Sequence, residues 1–135
     1  MPQPTRSLAE YACHARDSDF PALARSRAVD AITDCIACML GGSREPVAQM
    51  LLNVIPATAK DQRSPALLIG TSNYSTATDA ALYNGAVAHA LDYDDTNHPG
   101  YAHVGAAIVP AMFAVAPAAG ATGRDLVTAF ILGLE

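Results

Sequence analysis

Thr76-Ala-Thr-Asp-Ala-Ala-Leu-Tyr-Asn-Gly-Ala-Val-Ala-His-Ala-Leu-Asp92 is the stretch that decides the fold. Thr76 stands where a helix N-cap belongs, Asp79 follows three residues later, and a long alanine-rich body runs on behind them. The pattern predicts a helix from Thr76 to about Asp92. His89 and Asp92 are three positions apart, so they share a face near the helix end, where imidazole and carboxylate can meet. Pro99-Gly100 then breaks the chain, which makes Asp94 to Ala102 a loop, and His103 opens a second apolar stretch from Val104 to Ala119. Two helices joined by a polar loop converge their charges on one spot.

The loop and its flanks, His89 to His103, hold three histidines and three aspartates in fifteen positions, between stretches that are otherwise small and apolar. Charged groups entering an apolar region lose hydration, so such a cluster is costly unless it is paired or has a task. Removing a proton α to a carboxylate needs a positioned base with a pKa near working pH, and histidine, unperturbed at about 6.5, fits. A hydroxyl leaving group needs an acid. One titratable pair therefore serves dehydration, epimerisation or decarboxylation, each of which passes through carbanion or enolate character. Against this stands a plainer reading: His89 is a helix residue satisfied by Asp92, and Asp94, Asp95 and Thr96 cap and solvate a loop. Histidine with aspartate also suits a metal ion, but the spacing matches no metal motif, and no metal is expected.

The segment Asn84-Gly-Ala-Val-Ala-His89-Ala-Leu-Asp92-Tyr93-Asp94-Asp95-Thr96, with His98-Pro99, His103 and Pro110, resembles the signature of the MmgE/PrpD family. Ile69-Gly70-Thr71, Asp34 to Gly42 and Thr122-Gly123-Arg124-Asp125-Leu126 extend the likeness over nearly the whole chain. The resemblance implies an all-α, alanine-rich multi-helix domain like the N-terminal part of that family's helical domain. In complete members a smaller α/β lid domain follows, and the site lies in a cleft between the two. The activity it implies is cofactor-independent lyase or dehydratase chemistry on a small di- or tricarboxylate, like that of 2-methylcitrate dehydratase, cis-aconitate decarboxylase or iminodisuccinate epimerase. By the same resemblance Asp92 and His103 are catalytic, and Thr96, His98 and Tyr93 lie at substrate. His98 to His103 is one residue longer than the usual family pattern, and Val104-Gly105 stands where Pro-Ser is common, which leaves the orientation of His103 open.

Composition sets outer bounds. The 135 residues are expected to form one helical domain, half of them hydrophobic, with no Trp and few strand signals. A net charge of −5 with Lys60 as the single lysine leaves a nucleic-acid role without an electrostatic footprint. The same balance troubles the enzyme reading, because polycarboxylates need cationic partners and Ala77 to Ala121 has neither Lys nor Arg. Arg124 and Lys60 are the nearest in sequence. The simpler account is that the cations belong to a part of the family architecture this chain lacks.

The remaining segments read as scaffold. A first helix is predicted from Ser7, as cap, to about Ala15, with Glu10 at the reciprocal position; a second from about Pro21 to Leu40, stopped by Gly41-Gly42. Ala28, Ala31, Ile32, Cys35, Ile36 and Met39 form the second helix's apolar stripe. A third helix starts near Glu45-Pro46 and carries Val47, Met50, Leu51, Val54 and Ile55 to Pro56. Ala57 to Ser75 is polar, apart from an Ala66 to Gly70 run that admits an extended reading. Cys35-Ile-Ala-Cys38 lies within a helix rather than at a helix start after a strand, so core thiols are expected. Pro110 and Pro117 interrupt the Val104 to Ala121 stretch, which favours a buried helix or two short ones over a membrane span. Met1 to Tyr11 lacks a signal-peptide core, so a cytoplasmic location is expected. A last helix starts at Thr122 with Asp125 completing a capping box and runs to Glu135 without a clear stop. Its Phe130, Ile131 and Leu134 need a partner surface.

These features together favour the N-terminal portion of a longer ancestral protein, forming a homodimer and completed by a lid from another chain. The alternative is a catalytically silent helical remnant or dimerisation module of the same family.

Overall fold

The computed structural model describes residues 3–58 and 65–135; Lys60 falls outside them. Among the described residues the chain forms six α-helices: α1 (Pro4–His14), α2 (Ala22–Gly42), α3 (Pro46–Leu52), α4 (Ala77–His89), α5 (Gly105–Ala119) and α6 (Gly123–Leu134). A 3-10 turn, Asp17–Asp19, separates α1 from α2, and two short antiparallel strands, β1 (Ala66–Leu67) and β2 (Tyr74–Ser75), precede α4. The all-α expectation holds, with the Ala66 run as the extended exception.

Helix α4 is the centre, packing against α2, α3, α5 and both strands. It begins as the sequence predicts: the Thr76 hydroxyl accepts the Asp79 N–H at 3.2 Å and donates to the Asp79 carboxylate at 2.8 Å. Its alanines and glycine let neighbours approach closely. A Cβ on Gly42 would overlap the Val87 carbonyl, and one on Gly85 would lie 3.2 Å from the Ala106 carbonyl. Pro110 has no N–H to give that carbonyl, so the α5 turn facing Gly85 is already loosened without breaking the helix. The core around α4 includes Tyr83, Val87, Met39, Leu68, Val109 and Phe130, all fully buried.

The buried Asn84 ties α4 to the strands. Its Oδ1 accepts the Ile69 N–H at 2.8 Å and its Nδ2 donates to the Leu67 carbonyl at 3.0 Å, so a side chain takes the place of a third strand. On the far side of the hairpin, the Ser75 hydroxyl donates to the Pro56 carbonyl at 2.7 Å.

Several boundaries differ from the sequence-based expectation. Helix α1 starts at Pro4 rather than Ser7; the Ser7 hydroxyl donates back to the Gln3 carbonyl at 3.3 Å, and Glu10 pairs with Arg6 at 2.8 Å instead of closing a capping box. Helix α2 stops at Gly41-Gly42 as expected, with the two glycines forming its last residues rather than following Leu40, and close contact with α4 requires small residues there. Ala28, Ile32, Cys35 and Met39 are buried along α2 as expected. Helix α3 ends at Leu52 rather than running to Pro56, and Met50 and Val54 are exposed while Ala48 faces the core. Pro110 and Pro117 both sit within one continuous α5. In α6 the capping box forms, with Asp125 accepting the Thr122 N–H at 2.8 Å, and Phe130 and Ile131 are buried while Leu134 is exposed. No described helix is long and apolar enough to cross a membrane.

Asn84→Ala leaves the Ile69 N–H and Leu67 carbonyl unpaired at about 1–3 kcal/mol each, and Gly42→Ala overpacks the α2–α4 contact at about 1–3 kcal/mol. Both are expected to lower the denaturation midpoint in urea; an unchanged midpoint would show that α4 tolerates looser contacts than its packing implies.

Candidate active site

The site is made where α4 stops. His89 is its last residue, at the end of the helix that favours positive charge. The helix does not reach Asp92 as expected: Asp92 takes a left-handed conformation, φ 54°, that aspartate tolerates better than most residues. That reversal turns the chain so that Asp94 tucks back beneath the helix end, its carboxylate 1% exposed. Asp95 then accepts the Gly105 N–H at 2.8 Å and caps α5. A Cβ on Gly105 would overlap the Asp95 carboxylate, so the carboxylate sits this close to the N–H only beside a glycine or after shifting. Between the two helices, Asn97 and Ala102 exchange backbone hydrogen bonds of 2.8 and 3.3 Å, closing a turn that projects His98 and Tyr101 outward.

Two imidazoles and two carboxylates converge as a result. The His89 and His103 ring centroids lie 4.6 Å apart with the planes tilted by 55°. Beneath them, Asp94 accepts from His89 Nδ1 at 3.0 Å, and its other oxygen is 3.5 Å from His103 Nδ1. The second approach lacks hydrogen-bond geometry, so the buried His103 Nδ1 has no hydrogen-bond partner among the described residues. Above them, the solvent-exposed Asp92 carboxylate is 4.0 Å from His89 Nδ1 and 3.8 Å from His103 Nε2. The hydrogen bond to Asp94, and then its charge, hold the His89 pKa above the ordinary imidazole value.

His89 and Asp92 do meet as expected, in a 4.0 Å ion pair, but the hydrogen bond of His89 goes to Asp94, because the helix ends three residues early. Asp92 and His103 do come together. Tyr93, Thr96 and His98 lie on the same loop at exposed positions, and the hydrogen bonds and ion pairs of the cluster do not include them. Sequence alone makes Asp94 a loop residue, and no periodicity marks it. The one signal is an Asp-x-Asp pair five residues past a helix-ending histidine. Asp95 caps, as the plainer reading held.

An open groove of about 570 Å3 leads to His89 along α4, lined by Val47, Leu82, Gly85 and Ala86. Arg124 lines a different groove with Asp17, Arg25 and Val29. Behind the site, Cys35 Sγ donates to the Gly105 carbonyl at 3.5 Å, and burial, with Cys38 and the nearby aspartates, pushes its pKa up to about 12. Cys38 is pushed up by burial too, so both are core thiols, as expected; Cys13 is exposed.

Residues 6–135 match the family model described as the MmgE/PrpD N-terminal domain. Among curated proteins the chain is similar to the cis-aconitate decarboxylase-like protein oryM of Aspergillus oryzae, 28% identical over 141 residues that cover 97% of this chain. The chain spans 28% of the length of that relative. No solved structure matches.

Asp94→Asn is expected to destabilise by about 1–3 kcal/mol, the cost of weakening a buried charged hydrogen bond, and Asp92→Asn by less than about 0.5 kcal/mol, as for an exposed site. Equal effects would remove Asp94 as the anchor. Because folding raises the His89 pKa, this pair stabilises fully below the unfolded imidazole value and its contribution fades as pH rises through the folded value. The stability gap between wild type and His89→Gln should therefore narrow between about pH 6, just below the ordinary imidazole value of about 6.5, and about pH 9, well above it, and a constant gap would contradict it. Iodoacetamide should alkylate native Cys13 and spare Cys35 and Cys38, checked by peptide mass mapping.

Proposed function

Because the chain belongs to the MmgE/PrpD family, we propose that the His89–Asp92–Asp94–His103 cluster carries out cofactor-independent proton transfer on a small di- or tricarboxylate, in lyase chemistry of the dehydratase or decarboxylase type. The observation that carries this reading is the pair of imidazoles 4.6 Å apart, held between one buried and one exposed carboxylate. His103 is the acid or base that meets substrate. Asp92 orients it or moves a second proton. Asp94 fixes His89 with Nδ1–H pointing at the carboxylate, which leaves Nε2 of the neutral ring as the free lone pair.

In a dehydration the base takes the α-proton, the carboxylate spreads the charge, and the β-hydroxyl leaves with a proton from the acid. In a decarboxylation CO2 leaves with its bonding electrons behind, and the acid returns a proton to carbon. Thr96, His98 and Tyr93 line the approach and hydrogen-bond the substrate. The likeness to a cis-aconitate decarboxylase-like protein supports unsaturated tricarboxylates within that class. The partner is a second copy of the chain, and the location is cytoplasmic.

A second reading is favoured by one observation. The segment from 77 to 121 that carries the cluster has no Lys or Arg, and the groove lined by Arg124 contains none of the four cluster residues. Anion-binding cations must then come from elsewhere, and without them the domain is a silent helical or dimerisation module.

Incubation in D2O with citrate, 2-methylcitrate, cis-aconitate or iminodisuccinate, followed by proton NMR, separates the two. Loss of an α-C–H signal or a new product, abolished by His103→Ala with the fold intact by circular dichroism, is expected of the proton-transfer reading. No exchange with any of these acids favours the silent module, and full activity in His103→Ala removes that residue from the mechanism.

A further inference from the structure

We propose that the same four side chains form a binding site for one borderline divalent transition ion of the Zn2+ class. This goes beyond the proton-transfer reading and does not depend on it. The placement that supports it is tertiary: one ligand atom from each of His89, Asp92, Asp94 and His103 lies within 4.8 Å of every other. Tetrahedral Zn2+ with bonds of about 2.0–2.1 Å sets its ligand atoms roughly 3.3–3.5 Å apart. With one ligand atom per residue the closest pair, His89 Nδ1 and Asp94 Oδ1, lies 3.0 Å apart, just under that spacing, and no other pair exceeds 4.8 Å. Small rotations of the half-exposed His89 and the exposed Asp92 close the remainder.

Donor chemistry selects the ion. Two imidazole nitrogens with two carboxylate oxygens suit zinc, whereas magnesium and calcium ask for six or more oxygens. Two carboxylates balance the divalent charge, and the segment from 77 to 121 that supplies all four ligands contributes no cation to oppose it. The buried His103 Nδ1 without a hydrogen-bond partner is an independent mark of a group placed for something other than packing. Asp94 is the preorganised ligand, since its carboxylate is already buried and held.

The ion would replace the proton shared between His89 Nδ1 and Asp94. It takes the lone pairs that proton transfer needs, so the cluster can hold the ion or move protons at a given moment, not both. The ion is therefore an alternative occupant of the site rather than its cofactor.

The test is calorimetric titration of ZnCl2 into the metal-free 135-residue chain, with Co2+ absorption as a report of geometry. A Cys13→Ser background is used throughout, because the exposed Cys13 and adjacent His14 are another place for a soft ion. One Zn2+ per chain and a tetrahedral Co2+ spectrum are expected, with affinity lowered more than about tenfold in His89→Gln and Asp94→Asn and unchanged in Asp30→Asn. His89→Gln decides if Asp94→Asn does not fold. No saturable binding, or an affinity that His89→Gln leaves unchanged, would overturn the site.

Discussion

Close approach to α4 is the constraint on which the rest of this structure depends. A helix that must touch α2, α3, α5 and a pair of strands can do so only if many of its side chains are small, and α4 has five alanines and one glycine among its thirteen residues. Reciprocal small residues sit on the neighbours: Gly42 meets the Val87 carbonyl, and Ala106 meets Gly85. The large groups on α4, Tyr83 and Val87, then fill the space between helices rather than holding them apart. Asn84 solves the remaining difficulty, the unpaired backbone of a strand that lies against a helix instead of another strand.

The chemistry follows from where that helix must end. A C-terminus leaves carbonyls without partners and a negative dipole end, and His89 stands there. Left-handed Asp92 reverses the chain at once, which returns Asp94 to the helix end and leaves Asp95 free to cap α5. Three aspartates in four residues thus take three separate tasks: one exposed above the histidines, one buried beneath them, one closing the next helix. The division is set by backbone geometry, since the three side chains are chemically identical.

Membership of the MmgE/PrpD family accounts for the motif, and the charge balance of the cluster sets what it can attract. A negatively charged cluster attracts protons and metal cations on its own terms, but it repels a polycarboxylate unless cations are brought to it. Under the proposed reading, anion binding is therefore what the described residues supply least and proton transfer what they supply most.

The sequence by itself determined the helical class, the caps at Thr76 and Thr122, the apolar stripe of α2, the helix-embedded thiols and the loop in which titratable groups gather. Those are local matters of propensity, periodicity and capping, legible over a few neighbouring residues. Tertiary structure decided that Gly42 packs directly on the Val87 carbonyl, that Ala48 rather than Met50 faces the core, and that Asp94 rather than Asp92 takes the hydrogen bond of His89. Each of these turns on what lies across a contact or on a single left-handed residue, and neither leaves a periodic trace in the chain.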